Sequence, residues 1–387
     1  VAKNPFVLGL VGGDDLCDRR RELDELAGHA RNHHNVILVS PRQYGKSSLV
    51  LAMQEQLRAS GFVGVYVDLL TVASDDDVAR KLAAAVVVGV GRGADPVGLG
   101  RRISGLFARI VPTIEFGPDG PTVAVTIAQG SDPTLVLADV LDSLQKYVKR
   151  HGLSACVVLD EVQEISRLPG ARTIEAILRT HLQEHRDIPV FFVGSRRQAL
   201  TEMFAHARPL YQAGYLYPLD RIPRADFVPY ITGRFAASGK KCSDDTAGHI
   251  YDRVEGYPAY VQRLASSAWD MTSVLCTKEK VDEAYRRLLA LAGVEHGATW
   301  MGLPLGQRAL LQALAVEPTV QLTSADYLRR HGLVASSVQR AIKPLLEMDL
   351  VEHASETGRF FVVDPLLAAW VRWSPVVQLR KAGGGKA

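Results

Sequence analysis

Val36-Ile37-Leu38-Val39-Ser40-Pro41-Arg42-Gln43-Tyr44-Gly45-Lys46-Ser47-Ser48 is the stretch that decides the fold. Four consecutive apolar residues read as a buried strand, and the sequence continues as a helix through Leu57. Gly45-Lys46-Ser47 stands where the strand turns into the helix, which is the core of a phosphate-binding loop. The backbone N–H groups of such a loop converge on phosphate oxygens, the lysine neutralises the β- and γ-phosphates, and the serine hydroxyl ligates Mg²⁺. Ser40, Pro41, Arg42, Gln43, Tyr44, Gly45, Lys46, Ser47 and Ser48 are therefore the candidate nucleotide-binding residues, with Ser47 also a metal ligand. Ser40 occupies the position of the usual first glycine, a departure that requires an ordinary backbone angle there.

A second motif completes the site. Cys156-Val157-Val158-Leu159-Asp160-Glu161 is a buried strand ending in two carboxylates. An isolated Asp-Glu pair is usually a solvated strand end. Downstream of a phosphate loop, Asp160 is the expected Mg²⁺ ligand and Glu161 the group that polarises an attacking water. A further buried strand, Pro189–Val193, runs into Gly194-Ser195-Arg196-Arg197. Ser195 is either a polar group beside the γ-phosphate or part of a strand-ending turn, and the residue types leave both open. The catalytic candidates are Glu161, Lys46 and Ser195. Arg196, Arg197 and Arg208 are candidate phosphate contacts, each also readable as an ordinary surface arginine. No guanine-recognition motif stands in a suitable place, so ATP with Mg²⁺ is the expected cofactor pair.

Around these motifs the chain alternates strands and helices. Phe62–Leu70 reads as a second strand, Ser74-Asp75-Asp76-Asp77 as the cap and acidic first turn of a helix to about Val90, and Tyr215–Leu219 as a weaker fifth strand. Continuous apolar strands between helices argue for an α/β fold with a parallel sheet covered on both faces. Residues 91–132 read as an insertion, with a hairpin of Val111–Phe116 and Thr122–Ile127. Helices are expected near Arg224–Ser238, Ser243–Val254, Pro258–Met271 and Val281–Ala292, with Gly293–Pro304 as a linker. Helices at Leu305–Val316, Ser324–His331 and Ala335–Glu347, then strands Leu350–His353 and Phe360–Val363, give the winged-helix pattern. The expected domains are a core over 1–223, a helical lid and linker over 224–303, a winged helix over 304–375 and a flexible tail over 376–387.

Composition excludes several classes. The 387 residues are 47% hydrophobic and 22% charged, which is ordinary for a globular protein and unlike a disordered one. The net charge of +3 is not that of a protein held on nucleic acid by charge alone. The four cysteines, Cys17, Cys156, Cys242 and Cys276, lack CxxC spacing and suggest neither a zinc site nor a disulfide framework. Free thiols, the absence of a signal-like start and no apolar run of membrane-spanning length point to a cytoplasmic protein.

Beyond these motifs the chain resembles a known family. Leu16-Cys17-Asp18-Arg19-Arg20-Arg21-Glu22-Leu23 looks like the N-terminal motif of AAA+ and STAND-type ATPases. Ser40–Leu49 is similar to the "PRRYGKTSL" loop of the prokaryotic, archaeal-type P-loop ATPases. Glu255-Gly256-Tyr257-Pro258-Ala259-Tyr260-Val261-Gln262 resembles that family's GxP lid motif, and Phe361–Trp370 its closing segment. The resemblance implies an AAA+-like core, a helical lid and a C-terminal winged helix. It also implies that Leu16, Cys17, Asp18, Arg19 and Pro258 lie near the adenine. Leu16 stands where an aromatic is common, and no lid arginine is clearly placed.

The winged helix raises the question of partners. Gln339, Arg340 and Lys343 on Ala335–Glu347 are candidate DNA contacts. Against this, Pro304–Ala387 holds 10 Lys/Arg and 7 Asp/Glu, and omitting Arg380, Lys381 and Lys386 leaves 7 against 7. Such a balance gains little from counterion release. Pro344 is also expected to kink the helix. Three roles fit the sequence: an ATP-hydrolysing molecular switch coupled to the winged helix, a DNA-binding initiator-like factor with mainly structural nucleotide, and a nucleotide-dependent protein-interaction scaffold in defence or signalling.

Overall fold

The computed structural model describes residues 3–10, 17, 19–92, 107, 110–117, 120–127, 131–354 and 357–373. The chain forms two compact units, one of Leu10–Asp220 and one of Val1–Gly9 with Arg221–Ala387.

The first unit is built on a five-stranded parallel sheet. Its strands are β1 (Val36–Val39), β2 (Phe62–Asp68), β5 (Ser154–Asp160), β6 (Val190–Gly194) and β7 (Tyr215–Pro218), in the spatial order β2-β5-β6-β1-β7. β1 and β6 are buried throughout and β5 almost so, which is why each reads as an unbroken apolar run. β2 alternates and β7 is largely exposed, as befits the two edges, and β7's exposure explains its weak sequence signal.

Alternate residues of the central strands feed two cores. Val36, Leu38, Cys156, Val158, Phe191 and Val193 pack under helices α1 (Arg20–Arg31) and α2 (Lys46–Ala59). Ile37, Val39, Val157, Leu159, Val190 and Phe192 pack on the other face. That face is covered by α3 (Asp75–Gly91), α4 (Pro133–His151), α5 (Ala171–Glu184) and α6 (Arg197–Met203). Ser74 caps α3 and Asp132 caps α4, each side chain accepting a first-turn N–H. The insertion carries the expected hairpin: β3 (Ile110–Gly117) and β4 (Gly120–Ile127) pair antiparallel with Gly117 opposite Gly120. Residues 93–106, 108–109, 128–130 and the turn at 118–119 lie outside the described residues. One short element, the 3₁₀ helix Val162–Arg167 behind β5, had no sequence signal.

The second unit begins with α7 (Arg224–Ala237), α8 (Asp244–Arg253) and α9 (Pro258–Asp270). The expected linker does not exist: α10 runs unbroken from Lys278 to Gly302. Two glycines of that stretch serve close packing instead. A Cβ on Gly293 would stand 2.9 Å from Trp370 Nε1, and Gly297 also faces that ring. Beyond it come α11 (Leu305–Val316), α12 (Ala325–His331), α13 (Ala335–Glu347), the two-stranded wing β8 (Val351–His353) and β9 (Phe360–Val362), and α14 (Pro365–Trp373). Their core joins Leu310, Leu311, Leu314, Val338, Leu345, Val351 and Val371 to Trp300 and Leu303, so the module reaches back into α10. Pro344 lies inside α13, which continues to Glu347 with Val338, Ala341 and Leu345 buried on one face. The expected tail, residues 376–387, lies outside the described residues.

Candidate functional site

The phosphate loop joins the end of β1 to α2 at the C-terminal edge of the sheet. Its shape depends on two left-handed residues, Gln43 at φ 67° and Gly45 at φ 84°. Ser40 is not among the residues with positive φ, so the missing first glycine costs no strain. Gly45 is the residue before α2, and no side chain caps the first turn. Uncapped N–H groups at a helix N-terminus are suited to an anion.

Lys46 is buried. Its Nζ donates to Ser40 O at 2.9 Å, Pro41 O at 2.9 Å and Ser40 Oγ at 3.3 Å, so the loop itself cradles the ammonium. Tyr44 and Ser48 are also buried, whereas Arg42 and Gln43 are exposed at the rim.

The two carboxylates arrive from β5. Ser47 Oγ donates to Asp160 Oδ2 at 2.5 Å, and Tyr66 Oη donates to the same oxygen at 2.7 Å. Asp160 is only 2% exposed. Burial pushes its carboxyl up, the adjacent Glu161 charge adds to this, and the Ser47 and Tyr66 hydrogen bonds oppose it. Burial and the Asp160 charge push the Tyr66 phenol up, so the hydroxyl remains a donor. A hydroxyl and a buried carboxylate this close form a hard-oxygen pair that suits Mg²⁺, and a cation would relieve the cost of burying the Asp160 charge.

Glu161 is in the left-handed region at φ 54°, an uncommon backbone for a glutamate. Its N–H donates to Asp160 Oδ1 at 3.0 Å, which helps hold the turn. Its side chain is gripped by two neighbours: Ser195 Oγ donates to Glu161 Oε2 at 2.7 Å, and Gln163 Nε2 donates to the same oxygen. The structure thus brings Ser195, from the end of β6, into the same cluster as Glu161, from the end of β5. Gly194 permits this approach: a Cβ there would lie 2.4 Å from Gln163 Oε1 and 2.7 Å from Leu200 Cδ1.

Tyr66 and Gln163 were not foreseen. Tyr66 pairs in register with Val158 and reaches diagonally to Asp160. Two of the arginines considered as phosphate contacts are committed elsewhere. Arg208 Nε donates to the fully buried Glu175 at 3.0 Å, and Arg196 pairs with Glu164 at 3.0 Å. Arg197 is exposed at the start of α6.

Of the N-terminal motif, Leu16 and Asp18 lie outside the described residues. Cys17 is buried. Arg19 is buried too; it pairs with Glu22 and donates to Asp220 O at 2.6 Å, tying the start of α1 to the end of the sheet. Pro258 is the first residue of α9, in the second unit. Gly256 before it has φ 69°, and a Cβ there would strike the Tyr251 ring. Gln339, Arg340 and Lys343 are all exposed on α13; Arg340 Nε bonds Ser336 O and Lys343 lies 3.8 Å from Glu347.

Residues 30–203 match the family described as AAA domain, and residues 295–373 match the one described as probable winged helix domain. No curated protein matches in sequence. Among solved structures, the fold is similar to a Walker-type ATPase of Pyrococcus abyssi, at 16% identity over 93% of this chain and 97% of that one, TM-score 0.68. It is also similar to the ORC2 protein of Aeropyrum pernix in ADPNP–ADP complexes, at 16% identity over 95% and 96%, TM-score 0.59. A third is the ORC1 protein of Aeropyrum pernix in complex with DNA, at 16% identity over 95% and 95%, TM-score 0.50. The chain therefore has an AAA-type P-loop ATPase core followed by a winged-helix domain. That is the architecture of the archaeal-type P-loop ATPases the sequence resembles.

Proposed function

We propose that this protein is a Mg²⁺-dependent ATP-hydrolysing switch whose nucleotide state is coupled to its C-terminal winged helix. The observation that carries the reading is the convergence of Lys46, Ser47, Asp160, Glu161 and Ser195 at the ends of three adjacent strands. Lys46 and the loop N–H groups bind the phosphates, and Ser47 and Asp160 hold the metal. Bound Mg²⁺ supplies charge neutralisation at the phosphates. Glu161 orients the attacking water, and Ser195 with Gln163 keeps its carboxylate in one position.

Two hydrogen bonds support the link from lid to winged helix. Tyr257 Oη donates to Val363 O, and Tyr260 Oη donates to Asp364 Oδ2 at 2.6 Å. Asp364 Oδ1 in turn caps α14 by accepting from Leu366 N at 2.8 Å and Leu367 N at 3.1 Å. A shift of the GxP segment is therefore transmitted directly to the start of the last helix.

A DNA-linked role is the second reading. It is favoured by the exposed stripe of Ser336, Gln339, Arg340 and Lys343 on α13, and by the likeness to a protein solved with DNA. The even charge of the module counts against it. Steady-state ATP hydrolysis with and without duplex DNA, at low and moderate salt, separates the two. Salt-sensitive stimulation, lost when Arg340 and Lys343 are both changed to alanine, supports the DNA-linked role. Hydrolysis indifferent to DNA directs the switch to a protein partner.

A further inference from the structure

Cys242 and Cys276 are far apart in sequence, separated by α8 and α9, yet the second unit brings them side by side. Lys241 N donates to Val274 O at 2.8 Å and Cys276 N donates to Lys241 O at 2.8 Å, forming a parallel bridge between Lys241 and Leu275. Cys242 and Cys276 are the next residues in register on that bridge, so their side chains leave the same face. Adjacent paired strands lie about 4.8 Å apart, which is within the Cα separation that a disulfide spans. Both segments stay extended one residue further, through Ser243 at ψ 157° and Thr277 at ψ 163°. Cys242 Sγ donates to Ser243 O at 3.7 Å, and the two thiols are close enough to act on each other's titration. Cys276 is buried and Cys242 is partly exposed, which gives a small oxidant a way in. Cys17 and Cys156 are both buried, in the other unit.

We infer that Cys242 and Cys276 form a reversible dithiol–disulfide pair, oxidised by a small peroxide, that staples the segment before α8 to the segment before α10. The neighbouring Cys242 thiol lowers the Cys276 thiol against the opposing effect of burial, and Lys240 and Lys280 favour the thiolate further, whereas Cys242 is pushed up and keeps its proton. In the oxidation, the Cys276 thiolate attacks one peroxide oxygen. The S–O bond forms as the O–O bond breaks, and the departing hydroxide takes the Cys242 proton and leaves as water. The Cys242 thiolate then attacks the Cys276 sulfenic sulfur; the S–S bond forms, the S–O bond breaks, and the second hydroxide takes a proton from solvent. Two electrons leave the sulfurs, and one peroxide becomes two waters.

The test uses the full chain in its native state. Hydrogen peroxide is added, remaining thiols are alkylated after denaturation, and non-reduced peptides are mapped by mass. The expected result is a Cys242–Cys276 linked peptide, with Cys17 and Cys156 still alkylated and the link removed by dithiothreitol. Oxidised protein should also melt at a higher temperature than reduced protein, a difference absent in Cys242→Ser. Sulfinic or sulfonic acid at Cys242 with Cys276 still alkylated would overturn the inference. So would unmodified Cys242 and Cys276 at peroxide levels that oxidise surface methionines.

Discussion

Ser195 Oγ, at the end of β6, donates a hydrogen bond to Glu161 Oε2, at the end of β5, at 2.7 Å. The two residues directly follow neighbouring parallel strands, and the contact fixes where the Glu161 carboxylate points. Ser195→Ala should therefore lower ATP turnover by about ten- to a hundred-fold, as expected for losing a hydrogen bond to a charged group. Nucleotide affinity should change little. A fall in affinity with unchanged turnover would assign Ser195 to binding instead.

The same contact depends on Gly194. An alanine there would press on Gln163 and Leu200, whose atoms stand 2.4 and 2.7 Å from the new Cβ. Gly194→Ala should destabilise the first unit by about 1–3 kcal/mol and misplace Glu161, measured by denaturant melts and turnover together.

Tyr66 offers a separate test of the metal side. Tyr66→Phe removes one donor from the buried Asp160 carboxylate while preserving the ring. Turnover should drop about ten-fold, and the Mg²⁺ concentration for half-maximal activity should rise. Unaltered Mg²⁺ dependence would mean that Tyr66 serves β2 packing alone.

Much of this was legible in the sequence, for a physical reason. The buried strands β1, β5 and β6 are continuous apolar runs, and the phosphate loop and the two carboxylates sit at their ends, where local pattern and chemistry coincide. Tyr66 and Gln163 were not legible, because their roles arise from cross-strand register and from a short 3₁₀ turn, neither of which leaves a periodic trace. The second half of α10 was not legible: Gly293 and Gly297 lie within it, and a glycine that admits the Trp370 ring has the same sequence signature as one that breaks a helix. The pairing of Cys242 with Cys276 likewise depends on a tertiary bridge.

Acid stability follows from His181 on α5. Burial, and then the nearby His185, push its imidazole down from 6.5 to about 3, and neither ring nitrogen has a hydrogen-bond partner among the described residues. The folded chain thus keeps His181 neutral. Below about pH 6.5 the unfolded chain takes up a proton that the folded chain refuses, so stability falls by up to about 1.4 kcal/mol per pH unit as pH drops towards 3. His181→Leu should flatten that acid limb in melts between pH 7 and about 4. An unchanged limb would place the acid sensitivity elsewhere.

The central claim is that Glu161 drives hydrolysis at a site where Lys46, Ser47 and Asp160 hold the nucleotide and its metal. It is tested most directly by measuring ATP binding and ATP hydrolysis side by side in the wild type and in Glu161→Gln. Binding should be retained while turnover falls by about 10²–10⁴-fold, the range for loss of a general base. Full turnover in Glu161→Gln would contradict the account.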